Sequence, residues 1–235
     1  MQQLPIVSVR DLGLIDYKQA WDIQEELLKA AVDCKILNRK NDTEIVPEQH
    51  LLFCEHPHVY TLGKSGVAEN LLLDEAHLQL IDAQYYKINR GGDITYHGPG
   101  QLVMYPILDL EQFFTDIHKY MRFLEEAVIR TLAHFQLNAT RFDGLTGVWL
   151  DADTPRARKI CAMGVKCSRW ITMHGIALNV NPDLSYFGNI VPCGIQDKAV
   201  TSMNQELGHD VEIAEVQHVL LQEMAAVFNF SIQEK

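Results

Sequence analysis

The chain has 235 residues, 47% of them hydrophobic and 22% charged, which is enough apolar material for a sizeable core in one large domain or two small ones. Twenty basic against thirty-one acidic residues leave a formal charge of −11, which excludes a non-specific nucleic-acid binder, and no apolar run approaches the roughly 18–20 residues of a membrane span. Five cysteines, an odd number at irregular spacing, argue against a disulfide framework and for a reducing compartment.

The N-terminal stretch MQQLPIVSVRDLG carries neither a secretory nor a transit pattern, so the expected location is the cytoplasm. Leu4 to Val9 reads as a short strand. From Asp16, an available N-cap, the run to Leu37 places Tyr17, Trp21, Leu28 and Ala31 at helical spacing. Arg39 to Gln49 is polar and reads as a loop. Two strands follow, HLLFCEH and HVYTLGK, with a turn at Gly63–Gly66. ENLLLDEAHLQLIDA reads as a helix and YYKINR as a strand.

RGGDITYHGPGQ then holds four glycines and a proline in twelve residues, and LVMYPILDL reads as a buried strand. A long amphipathic helix over IHKYMRFLEEAVIRTLAHF puts Ile117, Met121, Leu124, Val128 and Leu132 on one face. Three strands are expected in GLTGVWLDA, RKICAMGVKCS and WITMHGIALNV. A turn, NPDLSYFGN, leads to IVPCGI, and a helix from Ala214 to Phe228 ends the chain. With no repeat and no linker, the pattern predicts one domain over residues 1–235, α+β, with a mainly antiparallel sheet and flanking helices.

Two segments stand out chemically. The glycine-rich run Arg90–Gln101 lets a ligand approach the main chain, and its amides can hold an anion or a polarised carbonyl. It is neither a Walker loop nor a dinucleotide fingerprint; a plain turn between strands is the bland alternative. In Pro192-Cys193-Gly194 the cysteine sits on a constrained turn that can present its sulfur to a cleft. The other four cysteines lie in apolar or periodic segments, as small buried hydrophobes do. A nucleophilic cysteine needs a group that favours the thiolate, since its ordinary pKa is about 8.5. An ammonium about 4 Å away, at an effective dielectric of about 20, favours it by roughly 4 kcal/mol before desolvation subtracts. His97, His174, Lys159 and Lys166 are candidates, and spacing does not choose among them. Cys54, His56 and His58 alternate as metal ligands can, but no second pair matches and Pro57 interrupts them, so no metal is expected.

Taken together, RGGDITYHGPGQLVMYPILDL, RKICAMGVKCSRW, HGIALNVNPDL and IVPCGI resemble the octanoyl (lipoyl) transferases of the biotin/lipoate protein ligase superfamily, over about His50 to Leu207. That resemblance implies the superfamily's fold and the first step of endogenous protein lipoylation. An octanoyl group passes from acyl carrier protein to one lysine of a lipoyl domain, in dehydrogenase-complex acyltransferase subunits or the glycine-cleavage H protein. It implies Cys193 as the acyl-thioester nucleophile and Lys159 as the lysine that lowers its pKa. It implies three substrate-binding runs: Arg90, Gly91, Gly92, Asp93, Ile94, Thr95, Tyr96 and His97; Ala162, Met163 and Gly164; Gly175, Ile176 and Ala177. No cofactor is implied, octanoyl-acyl carrier protein being a substrate, and the expected state is a monomer free of membrane and nucleic acid.

On this reading a thiolate exchanges with the donor thioester, splitting one acyl transfer into two easier steps. Lys159 stabilises the thiolate as an ammonium and, once neutral, accepts a proton from the incoming lysine. Amides around Gly194 and the Gly91–Gly92 loop are expected oxyanion donors, and Ile94, Tyr96, Met163 and Ile176 expected walls of an octanoyl slot. Because acyl carrier proteins are acidic, a basic rim is expected from Lys87, Arg90, Arg156, Arg158, Lys166 and Arg169. The rival readings are an ATP-dependent lipoate or biotin ligase, a lipoyl amidotransferase and a catalytically silent acyl-carrier-binding module. The Pro-Cys-Gly block, and the expectation of no extra C-terminal domain, favour the transferase over the ligase.

Overall fold

A computed structural model describes residues 4–191 and 199–234. The chain runs β1 (Ile6–Leu14), α1 (Tyr17–Asn41), β2 (Gln49–Glu55) and β3 (Val59–Leu62), then α2 (Glu75–Leu80), β4 (Gln84–Lys87), β5 (Ile94–His97) and β6 (Gln101–Ile107). Next come α3 (Ile117–His134), β7 (Ala139–Phe142), β8 (Leu145–Leu150), β9 (Arg158–Ser168) and β10 (Ile171–Asn179). β11 (Ala199–Val200), α4 (Met203–Leu207), α5 (Ile213–Phe228) and β12 (Ser231–Glu234) complete it.

The main sheet has the order β12-β1-β2-β6-β10-β9-β8-β7, with β11 alongside β9. From β2 to β7 every neighbour is antiparallel, whereas β12, β1 and β2 run parallel, as do β11 and β9. This is the expected α+β architecture with a mainly antiparallel sheet; its parallel edge has no counterpart in the sequence reading. A second sheet, β4-β3-β5, stands beside it.

β6 and β10 are buried along their whole length because helices cover both faces. Alternation along β6 decides which helix each residue meets. Leu102 and Met104 pack with Leu124 and Val128 of α3 and Leu220 and Met224 of α5, while Val103 and Tyr105 pack with Ala20 of α1. Asp16 caps α1 as predicted, its carboxylate accepting from the Lys18 and Gln19 amides at 2.8 and 3.2 Å. The buried stripe of α1 is Tyr17, Ala20, Gln24, Leu28 and Ala31, with Trp21 only half-buried at its margin.

Other predictions need correction. Of the helix expected over residues 69–83 only a 3-10 turn at Ala68–Asn70 and the α-helix Glu75–Leu80 form, because Leu71 bridges Ile190 and the Leu72 amide donates to the Asn189 carbonyl. The glycine-rich run is not a simple loop, since its centre is β5, paired antiparallel with β3. Nor does α5 end the chain: β12 follows and pairs with β1. Among the described residues no helix is long and apolar enough to cross a membrane.

Candidate active site

β9 and the segment around β5 build a cleft of about 370 Å³. One extra residue in β9 shapes it: Trp149 pairs with Lys159 and Val148 with Cys161, so Ile160 is a bulge. Ile160 and Cys161 both turn into the core, and Lys159 is left on the cleft wall. The Lys159 ammonium lies 4.7 Å from the centroid of the Trp149 ring, whose π face favours the charged amine. On its other side Val200 of β11 pairs with Lys159, and the Thr201 amide donates to the Lys159 carbonyl at 2.9 Å.

The residues 90–93 form the facing wall. They are fastened to 63–65 by three backbone hydrogen bonds, from the Gly63, Lys64 and Ser65 amides to the Asp93, Arg90 and Gly92 carbonyls. The Arg90 guanidinium donates to the Gly91, Thr61 and Asp93 carbonyls at 2.9, 3.2 and 2.7 Å, so it braces the loop from within. Glycine at 164 allows this, since a Cβ there would stand 2.7 Å from both an Arg90 nitrogen and the Gly91 carbonyl. Asp93 is likewise a brace, accepting from the Ile94 amide and the Asn70 side chain, both at 2.7 Å. The Gly91 amide donates to the Val165 carbonyl at 3.0 Å, which takes it out of the expected oxyanion hole.

A second, inner cavity of about 30 Å³ adjoins the cleft, sharing Arg90, Thr95, Ala162, Met163 and Gly164 with it. His97, Gly175, Ile176 and Ala177 line it together with Tyr17, Tyr105 and His174. His97 is buried; its Nδ1 donates to Gln101 Oε1 at 2.7 Å while the Gln101 amide donates to Asn179 Oδ1 at 2.8 Å. Burial, reinforced by the neighbouring His56, pushes the His97 imidazole down to about 3, so it stands neutral.

All but two of the predicted site residues therefore line the cleft or the inner cavity beside it. Tyr96 does not. It lies behind the wall, stacked on Tyr186, with its hydroxyl on His58 Nδ1 at 2.8 Å, because alternate residues of β5 face opposite ways. Cys193, with Pro192 and Gly194, lies outside the described residues. The segment holding it leaves from the Leu184–Asn189 turn and returns at β11; Phe187 before it and Ala199 and Val200 after it all line the cleft.

Sequence reasoning missed several lining residues. Trp149, Met121 of α3 and the residues Gly144 to Thr146 where β7 turns into β8 carry no chemical signal of their own and are brought in by the tertiary packing. Nor is the basic rim a set of unpaired cations. Arg158 is held by Glu206 and Asp151, each at 2.6 Å, Lys166 by Glu25 at 3.1 Å, and Arg156 lies 3.9 Å from Asp151. Of the other cysteines, Cys54 and Cys161 are buried as expected and burial pushes both thiols well up, but Cys34 is half-buried and Cys167 exposed. His56 bonds the Ile15 carbonyl and Tyr105, with Cys54 Sγ 3.5 Å from its Nε2, but His58 turns away to Tyr96, so the three side chains considered as metal ligands do not converge.

The profile of the lipoyl protein ligase A/B catalytic domain matches residues 16–225, reaching beyond the expected limits into α1 and α5. An octanoyltransferase of Cytophaga hutchinsonii is 62% identical over 97% of this chain and 94% of its own length. One from Flavobacterium johnsoniae is 59% identical over 96% and 98%. In fold, the chain resembles a bi-partite lipoate protein ligase from Thermoplasma acidophilum (TM-score 0.70, 17% identity, all of this chain and 87% of the other). A lipoate-protein ligase A bound with ATP gives the same TM-score and identity, over all of this chain and 89% of its own. With relatives so similar along nearly its whole length, the chain belongs to the lipoyl protein ligase A/B catalytic-domain family, among its octanoyltransferases.

Proposed function

We propose that the chain moves an octanoyl group from acyl carrier protein to a lysine of a lipoyl domain through a thioester on Cys193, in the cytoplasm, without a cofactor. The observation that supports this most is the pairing of Lys159, at the cleft wall, with Val200 of the strand to which the Cys193 segment returns. Cys193 is six residues before Ala199 in the sequence, and a chain of that length extends at most about 22 Å, which permits a sulfur–ammonium approach.

In the first step the Cys193 thiolate attacks the donor's thioester carbonyl; the new C–S bond forms, the bond to the carrier's sulfur breaks, and that sulfur leaves as a thiol with the proton of the Lys159 ammonium, which is left neutral. In the second, the lipoyl-domain amine attacks the enzyme thioester, its proton passes to neutral Lys159, and the amide forms as the cysteine thiolate departs. The ammonium of Lys159 then stabilises that thiolate again. Thr95, Met163 and Ile176 form the walls along which the acyl chain lies. His97, neutral and committed to Gln101, orients rather than acts as the base.

The accepting partners expected are dehydrogenase-complex acyltransferase subunits and the glycine-cleavage H protein, served by a monomer. Intact-mass measurement after mixing with octanoyl-acyl carrier protein, without ATP, tests the scheme. One octanoyl increment is expected, absent from Cys193→Ala and discharged by a lipoyl domain. Lys159→Ala is expected to acylate slowly at neutral pH and to recover partly at higher pH. A requirement for ATP, or an adduct that survives in Cys193→Ala, would overturn the scheme.

A further inference from the structure

The inner cavity carries polar groups that acyl transfer does not use. Its volume, about 30 Å³, is roughly the share of one water in the liquid. Tyr105 donates its hydroxyl to His56 Nε2 at 2.7 Å, and that oxygen keeps its lone pairs for a further partner. His174 is odder. It sits at φ +57 within β10, 1% exposed, its amide taken by Gln24 Oε1 at 2.9 Å. Its Nε2 donates to Asn89 Oδ1 at 3.0 Å, which leaves Nδ1 as a buried acceptor with no hydrogen-bond partner among the described residues. A positive φ at a buried, non-glycine strand residue is costly, and such strain gathers where a side chain is held for a purpose. Burial pushes the His174 imidazole down to about 3, so it looks for a donor and does not supply a charge.

A hydrocarbon has no donor to offer. The rungs lining the cavity pair Ala162 with Ala177, Met163 with Ile176 and Gly164 with Gly175. With the Ile160 bulge discounted, the Met163 rung lies three ladder steps along β9 from Lys159, about 10 Å at roughly 3.3 Å per step, the scale of an extended medium-length acyl chain.

We propose that the polar inner cavity is the stop of the acyl slot, with Tyr17, Tyr105 and His174 setting an upper chain length near that of the octanoyl group. Methylenes pushed past the Ala162 and Met163 rungs enter a space that suits a water molecule and leave the His174 acceptor and the Tyr105 oxygen unpaired. The discrimination is by polarity. This inference rests on the acyl-transfer reading.

Its test is a competition of octanoyl- against decanoyl-acyl carrier protein, with the products on a lipoyl domain counted by mass spectrometry. Wild type is compared with Tyr17→Phe and Tyr105→Phe, which keep the ring and remove only the hydroxyl. The decanoyl-to-octanoyl ratio is expected to rise about threefold or more in at least one variant, the size of one modest hydrogen bond. Because Tyr105→Phe also strips His56 of its donor, Tyr17→Phe provides the milder arm, and a ratio is unaffected by an overall loss of active protein. A smaller change in both variants overturns the polar stop while octanoyl transfer by wild type leaves the acyl-transfer reading intact. A wild type that transfers no octanoyl group overturns both.

Discussion

At position 164 a single methyl group would collide with a guanidinium and a backbone carbonyl, each at 2.7 Å, and the carbonyl belongs to a loop already tied to 63–65. The loop has little freedom to give way. Gly164→Ala is therefore expected to displace the wall that faces Lys159 and to lower kcat/KM for octanoyl transfer on the order of a hundredfold, the usual cost of about 1 Å of misplacement near reacting groups. Steady-state kinetics check this; a rate within a few-fold of wild type would show that the loop adapts. The same scale explains what was legible. Lys159 and the glycine run announce chemistry by residue type, whereas Tyr96 and Thr95 are equally good candidates until β5 pairs with β3 and fixes which of them faces the cleft. His174 was legible only as one possible partner of a thiolate; its positive φ and its orphaned Nδ1, beside Gln24 and Asn89 that lie far away in sequence, show only in the fold.

Among the elements, α1 carries both its own start signal and one wall of the inner cavity, through Tyr17. Removing the cap in Asp16→Ala is expected to cost about 1 kcal/mol, or roughly 2–4 °C in Tm for a chain of this size. A thermal melt tests this, and an unchanged Tm would mean that packing of the Tyr17–Ala31 stripe holds the first turn unaided. Elements with strong periodicity and their own termini, such as α1, α3, β9 and β10, were readable in the sequence. The apolar run Leu71–Leu73 was not. It has helical composition, yet a bridge to Ile190 and packing against the Tyr60–Tyr96 cluster hold it extended. β7 and β12 are four-residue strands whose only reason to form is a partner already in place.

For the molecule as a whole, three imidazoles lie buried and neutral around the inner end of the site. Burial pushes His56 down to about 4, and His97 and His174 to about 3. In the unfolded chain each would take up a proton near pH 6.5. Between that value and the depressed native ones the unfolded state binds more protons, so stability falls as pH falls, by up to about 1.4 kcal/mol per pH unit for each histidine. Melting curves between pH 7.5 and 4.5 are expected to show Tm dropping below about pH 6.5, before most carboxylates titrate. A flat profile from 6.5 to 5 would mean that these rings take protons in the folded protein.

The sequence alone determined the class of the fold, the order of its main elements, and the family, since these rest on periodicity, on turn and cap residues, and on motifs carried in consecutive positions. The family resemblance also named Lys159 and most of the cleft lining, because motifs carried in consecutive positions mark their residues before the fold is known. Only the tertiary structure decided which face of β5 meets the cleft, that Gly91 has no amide to spare, that carboxylates already hold three of the six predicted rim cations, and that tyrosines and histidines line the inner cavity. Each of these depends on pairing between residues far apart in the chain, where register and burial, not local composition, set what a side chain meets.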